Sequence, residues 1–160
     1  MGTREWAGIS KEIEFDAGHR IPNHESKCYN IHGHRYKVRA CCRGFMITAE
    51  NAPDEGMLID FGLLKTFMTT EIHDVLDHGL ILHRGDSAGL MAMELLGELL
   101  SKPQKVIEFP YVPTAENIAR WCYEKLQPLV EHHFRENLKL DRIEVHETPT
   151  SLAWYPEVHH

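Results

Sequence analysis

The sequence predicts an α+β domain, an antiparallel sheet with helices packed on one side, from three observations. Apolar and polar residues alternate through two extended segments in the first third of the chain, apolar residues recur at three- and four-residue steps in the middle, and a second extended pair closes the chain. The order strand, strand, helices, strand, strand suits such a layered architecture. With 160 residues, 42% of them apolar, the chain sustains one sizeable core, so a single domain over 1–160 is expected.

The first strand runs from Ile9 to His19, with Ile9, Ile13, Phe15, Ala17 and then His19 in one phase. Arg20 to Ile31, with Pro22, Asn23, Ser26 and Asn30, reads as a loop. Alternation resumes most clearly in the second strand, where His32, His34, Tyr36, Val38, Ala40 and Cys42 share a face opposite Arg35, Lys37, Arg39, Cys41 and Arg43. Asn51 to Gly56 is a turn, and Met57 to Asp60 is expected as a short returning strand. Phe61, Leu64, Phe67, Met68, Ile72, Val75 and Leu76 mark a helix that stops before Asp77-His78-Gly79. A second helical pattern, Leu90 to Leu100, lies inside a segment of about 82–105 that reads as a helical insertion. Lys105 to Phe109 suits a short strand, and Pro113-Thr114 opens a long helix with Thr114 as N-cap and Ile118, Trp121, Cys122, Leu126, Leu129 and Val130 on its apolar face. Arg142 to Thr148 and Leu152 to Tyr155 are the closing strands; Glu147 shares the face of Ile143 and Val145, an unusual place for a carboxylate.

Composition excludes several classes. No apolar run approaches the ~20 residues of a membrane span, and Met1 to Ile9 lacks the order of a secretory signal, so a cytoplasmic protein without membrane association is expected. Four cysteines without a C-x-x-C pair fit reduced thiols better than a disulfide framework. The net charge of −7 disfavours nucleic acid as a partner. Between His19 and Arg43, however, six basic residues face one acid, giving +5 there and −12 elsewhere. That segment is either a solvated strand face or a place that attracts an anionic small molecule.

Twelve histidines invite a metal or proton-transfer reading. His32 and His34 project to the same side of one strand with about 6 to 7 Å between their α-carbons, at ~3.3 Å per residue. His19 shares their phase if its strand pairs with theirs. Three neutral imidazoles without a fourth protein ligand form the pattern of a catalytic zinc site, open to water or substrate; the plainer alternative is histidines filling a half-buried face. Cys28 lies in the intervening loop beside Lys27, where positive charge favours thiolate, and reads either as a base or nucleophile or as an inert loop cysteine. Asp77-His78 offers an oriented acid/base, or a surface pair. Glu147 suits a ligand with adjacent N–H donors, or an ion pair with an arginine.

Six segments in order carry a specific resemblance: Phe15-Asp-Ala-Gly-His19, Cys28-Tyr-Asn-Ile-His32-Gly-His34, Leu58-Ile-Asp-Phe61, Leu76-Asp-His78, Pro113-Thr-Ala-Glu-Asn117 and Val145-His-Glu-Thr148. Together, from about Ile9 to Tyr155, they resemble the 6-pyruvoyl-tetrahydropterin synthase / 6-carboxy-tetrahydropterin synthase family. The resemblance implies the tunnelling fold, or T-fold, with a four-stranded antiparallel sheet and two helices between its strand pairs, assembled as a homohexamer of two trimers with active sites between subunits. It implies Zn2+ on His19, His32 and His34, Cys28 as proton-abstracting base, Asp77 and His78 as relay partners, and Glu147 as catalytic-site anchor of a pterin ring. Glu116 falls in a family motif without a role assigned. The three residues between Cys28 and His32 resemble the carboxy branch, which implies a lyase acting on 7,8-dihydroneopterin triphosphate in queuosine or other 7-deazapurine biosynthesis. Pyruvoyl-tetrahydropterin synthesis is the near alternative, and a non-catalytic zinc-stabilised binding protein the alternative of another class.

Overall fold

The computed structural model describes residues 5–134 and 137–157. Strands β1 (Trp6–His19) and β2 (His32–Phe45) pair antiparallel along their whole length, from Trp6↔Phe45 to His19↔His32. Their alternation does what the pattern requires: Ile13, Phe15 and Ala17 of β1 and Tyr36, Val38, Ala40 and Cys42 of β2 are buried on one face. On the other face charges of opposite sign stand directly across the two strands, Glu12 against Arg39, Glu14 against Lys37 and Asp16 against Arg35.

Helix α1 (Phe61–Met68) starts where Asp60 Oδ1 accepts the Gly62 N–H at 2.7 Å, and it continues through a π-helical turn (Thr69–His73) into α2 (Asp74–Leu76). Leu64, Met68, Ile72 and Leu76 are fully buried at four-residue steps. The expected strand at Met57 to Asp60 is not one: Ile47 N–H bonds the Met57 carbonyl, and Leu58 and Ile59 turn into the core as an irregular segment. Helix α4 (Ala115–Phe134), capped by Thr114, lays Ile118, Ala119, Trp121, Cys122, Leu126 and Val130 against β5 (Leu138–Thr148) and β6 (Ser151–Tyr155), while Leu129 is only half-buried. β5 pairs antiparallel with β2 through a bulge at Cys41/Cys42, and β6 with β5.

The expected sheet of four antiparallel strands has to be corrected. Six strands are described, in the order β4-β3-β1-β2-β5-β6. The segment expected as a helical insertion, about 82–105, links the two added strands: β3 (Leu80–His83) runs parallel to the end of β1, α3 (Ser87–Leu99) crosses over, and β4 (Val106–Phe109), at the short strand expected from Lys105 to Phe109, lies parallel to β3. β3 is buried on both faces, Leu80 at 8% and Ile81 and Leu82 at 0% exposure, so it reads as an unbroken apolar run without alternation. No helix among the described residues is long and apolar enough to cross a membrane.

Candidate metal centre and its surroundings

His19 ends β1 and His32 begins β2, directly paired, so the hairpin itself brings the two imidazoles together; His34 follows on the same face. Gly33 between them lies so close to β1 that an added Cβ would sit 3.0 Å from the Ala17 carbonyl oxygen. The three rings stand 4.5 to 5.2 Å apart, centre to centre, and one nitrogen of each falls within 4.8 Å of the others.

Hydrogen bonding settles how the first two rings are protonated. His19 Nδ1 lies 2.7 Å from the Pro113 carbonyl oxygen, and His32 Nδ1 lies 2.8 Å from that of Asn30. A carbonyl can only accept, so both Nδ1 atoms carry hydrogen and donate it. The two Nε2 atoms then present lone pairs to each other across 3.1 Å, which repel unless a positive charge lies between them. His34 Nε2 is buried with no partner among the described residues. Burial holds the His19 imidazole below its ordinary pKa, which disfavours a proton as that charge. A metal ion answers all three demands: nitrogens about 2.0–2.1 Å from a tetrahedral zinc are separated by about 3.3 Å, and backbone carbonyls on the far nitrogens are the usual way such ligands are oriented.

Cys28 sits in a single 3-10 turn (Lys27–Tyr29), and the loop is closed by Ile21 N–H donating to the Cys28 carbonyl at 2.9 Å. A cavity of about 230 Å³ joins Cys28 to His19 and Glu147, with His24, Thr114 and Glu116 also on its wall. Glu147 Oε1 lies 3.6 Å from His19 Nε2, so this carboxylate faces the histidines, and among the described residues it forms no arginine pair, the alternative reading. That pair belongs to its neighbour Glu144, held by Arg39 and Arg142 on the opposite face. Glu116, which the family resemblance marks without a role, lies in the first turn of the helix that follows Pro113, the residue whose carbonyl orients His19. The remaining cysteines lie apart: burial pushes the Cys42 thiol up to about 12 and raises those of Cys41 and Cys122.

His78, held by Asp77, lines a different cleft. Asp77 Oδ1 accepts the Asp16 N–H at 3.0 Å, and its Oδ2 lies 2.8 Å from His78 Nδ1; these two contacts hold the carboxyl below the usual range. The His78 proton is thereby fixed on Nδ1, and Nε2 is left to an outside partner on a side chain that is 79% exposed. His78 has φ +56°, a left-handed conformation uncommon for a residue with a Cβ, and its N–H donates to the Asp16 carbonyl at 2.7 Å. The cleft, about 520 Å³, is bordered by His78, Asp16, Gly33, His34 and Arg35. The site residues thus divide into a cavity with Cys28 and Glu147 and an open cleft with His78, with the histidine cluster between them.

The cationic segment is largely compensated. Arg20 pairs with Asp86, Arg35 with Asp16, Arg39 with Glu12 and Glu144, and Arg43 with Asp141. A third cleft of about 620 Å³ nevertheless runs from His34 and Glu147 past Arg35, Lys37 and Arg39, a basic wall next to the histidines.

The family model for 6-pyruvoyl tetrahydropterin synthase matches residues 8–158. A 6-carboxy-5,6,7,8-tetrahydropterin synthase of Rickettsia bellii is 38% identical over 136 residues, covering 82% of this chain and 90% of the relative. One of Haemophilus influenzae is 35% identical over 149 residues, covering 93% and 98%. Among solved structures, an uncharacterized protein of Wolinella succinogenes superposes with TM-score 0.77 at 24% identity, over 94% of this chain and 97% of that one. The Caenorhabditis elegans 6-pyruvoyl tetrahydropterin synthase gives 0.66 at 24%, over 99% and 100%. These last two establish the fold, the T-fold with its helices on one side.

Proposed function

The chain belongs to the 6-pyruvoyl tetrahydropterin synthase family, and within it we propose that this protein is a zinc-dependent lyase converting 7,8-dihydroneopterin triphosphate and one water to 6-carboxy-5,6,7,8-tetrahydropterin, acetaldehyde and triphosphate, in queuosine or other 7-deazapurine biosynthesis. The observation that carries the proposal is the convergence of three imidazoles, two with Nδ1 protons committed to carbonyls, beside a thiol and a carboxylate. The carboxy product is favoured over the pyruvoyl one by the three residues between Cys28 and His32 and by the names of the curated relatives.

His19, His32 and His34 would hold the zinc through Nε2. Bound there, the ion supplies a Lewis acid that polarises the side-chain oxygens of the substrate. Glu147, whose carboxylate faces the cavity, accepts hydrogen bonds from the pterin amino and ring N–H groups and so fixes the ring. Cys28 removes and returns a proton at the side-chain carbons. His78, with Nδ1 fixed by Asp77, exchanges a proton at Nε2. The basic wall of Arg35, Lys37 and Arg39 suits the triphosphate.

Because His78 faces an open cleft, the relay pair is assigned to the substrate of a neighbouring copy in a homohexamer of two trimers. The sheet supports such an assembly: β6 is one edge, and β1 pairs with β3 only at Gly18 and His19, which leaves most of its outer edge open to another strand. The test is to incubate zinc-loaded protein with 7,8-dihydroneopterin triphosphate and identify the products. Acetaldehyde with the carboxypterin is expected; the pyruvoyl product, or no turnover by folded, zinc-loaded protein, would overturn the proposal.

A further inference from the structure

The β3–α3–β4 crossover reaches the site through one buried ion pair. Arg20, the residue after His19, donates from Nε to Asp86 Oδ2 at 2.6 Å and from Nη2 to Oδ1 at 3.1 Å, a two-pronged contact with side-chain exposures of 13% and 3%. Asp86 is itself fixed, because it caps α3 by accepting the Gly89 N–H at 3.0 Å. Gly89 leaves room for that carboxylate, since a Cβ there would lie 2.5 Å from Asp86 Oδ2. The far side of the same guanidinium lies 4.8 Å over the ring of Tyr29, the residue after Cys28. A single arginine therefore joins the end of the metal-ligand strand, the turn that carries Cys28 and the start of α3.

We infer that Asp86 and Arg20 are positioning residues for Cys28: the carboxylate holds the guanidinium, and the guanidinium holds the Lys27–Tyr29 turn against the cavity. A planar fork locked on both oxygens sets direction as well as distance, which a point charge would not. Tyr29 is otherwise half exposed, at 49%, and the turn buries no residue, so little apolar packing competes with this contact in placing the thiol. The crossover segment thereby acquires a task in the reaction.

The inference rests on the catalytic role proposed for Cys28, and two readouts separate the two claims. Peptide-resolved hydrogen exchange on the zinc-loaded protein needs no substrate, and turnover supplies the second readout. Asp86→Asn keeps the shape of the cap but weakens the grip on Arg20, and Arg20→Lys keeps the charge without the fork. In whichever variant folds with its full metal content, amide exchange across 27–31 should rise about tenfold while α1 is unchanged, and kcat should fall at least about tenfold with KM within about threefold, as for a misplaced reacting group. Unchanged exchange at 27–31, or wild-type kcat despite faster exchange, would overturn the inference. If the wild-type protein itself does not turn over the pterin, the proposed function fails, while the exchange result still decides whether the clamp exists.

Discussion

His19 owes its chemistry to a carbonyl from the far end of the chain. Pro113 fixes the proton on Nδ1, and burial lowers the ring's affinity for a second one, which favours a lone pair on Nε2 before any ion arrives. Among the described residues Cys28 has no comparable anchor on its sulfur; it is placed by its turn. The two residues therefore fail differently when removed. His32→Ala should lower bound zinc from one per chain to a small fraction, and turnover with it. Cys28→Ala should keep the full complement of zinc and the wild-type fold while losing turnover by about a thousandfold or more, the order expected for a group that moves the proton. Metal analysis beside steady-state kinetics checks both, and full activity in Cys28→Ala would remove the thiol from the reaction. At this scale the sequence was informative wherever spacing determines direction: alternation put His19, His32 and His34 in one phase and Glu147 on an apolar face, while their roles came from the family resemblance. It marked Glu116 without a role and was silent on Arg20–Asp86, a pair brought together only by the tertiary fold.

Strands β1, β2 and β5 carry a charged face whose centre is Glu144. Its carboxylate, 7% exposed, accepts from Arg39 at 3.0 Å and from Arg142 at 2.6 Å. Burial alone would raise its pKa, but Arg142 and then Arg39 outweigh it and hold the group below its ordinary 4.5. The folded state thus binds this proton less readily than the unfolded chain, so the stabilisation is fully present above about pH 4.5 and is lost as pH falls through the depressed folded value. Glu144→Gln should cost about 1 kcal/mol at neutral pH, because the arginines it leaves are partly solvated and Arg39 keeps Glu12. In denaturant unfolding, the gap between variant and wild type should narrow as the pH is lowered below 4.5; a gap independent of pH would contradict the pairing. Among elements, β1, β2, α1 and α4 were legible because each buries one face and exposes the other. β3 was hidden because both its faces are covered, and the Met57–Asp60 segment misled because two buried residues, Leu58 and Ile59, imitate a strand without a ladder.

The whole molecule separates its chemistry between a cavity with Cys28 and a cleft with His78. The fold class was readable from the order of elements, as was the short strand at Lys105 to Phe109, while its parallel partner β3 was not. The division makes sense if each site is completed by a second copy, and this has a direct consequence. Cys28→Ala and His78→Ala should each be inactive alone. Co-expressed in equal amounts and assembled at random, they should recover about one quarter of wild-type turnover, because one site in four then receives an intact thiol and an intact imidazole from different chains. Activity no greater than that of the single variants would place both groups on the same chain's substrate.

The central claim is that three imidazoles turn Nε2 toward one catalytic metal, and anomalous diffraction at the zinc edge from crystals of the zinc-loaded protein tests it most directly. One peak per chain about 2.0–2.1 Å from Nε2 of His19, His32 and His34, with Nδ1 of His19 and His32 still on the Pro113 and Asn30 carbonyls, is the predicted result. No peak at the cluster, or a peak bound through Nδ1, would contradict the account.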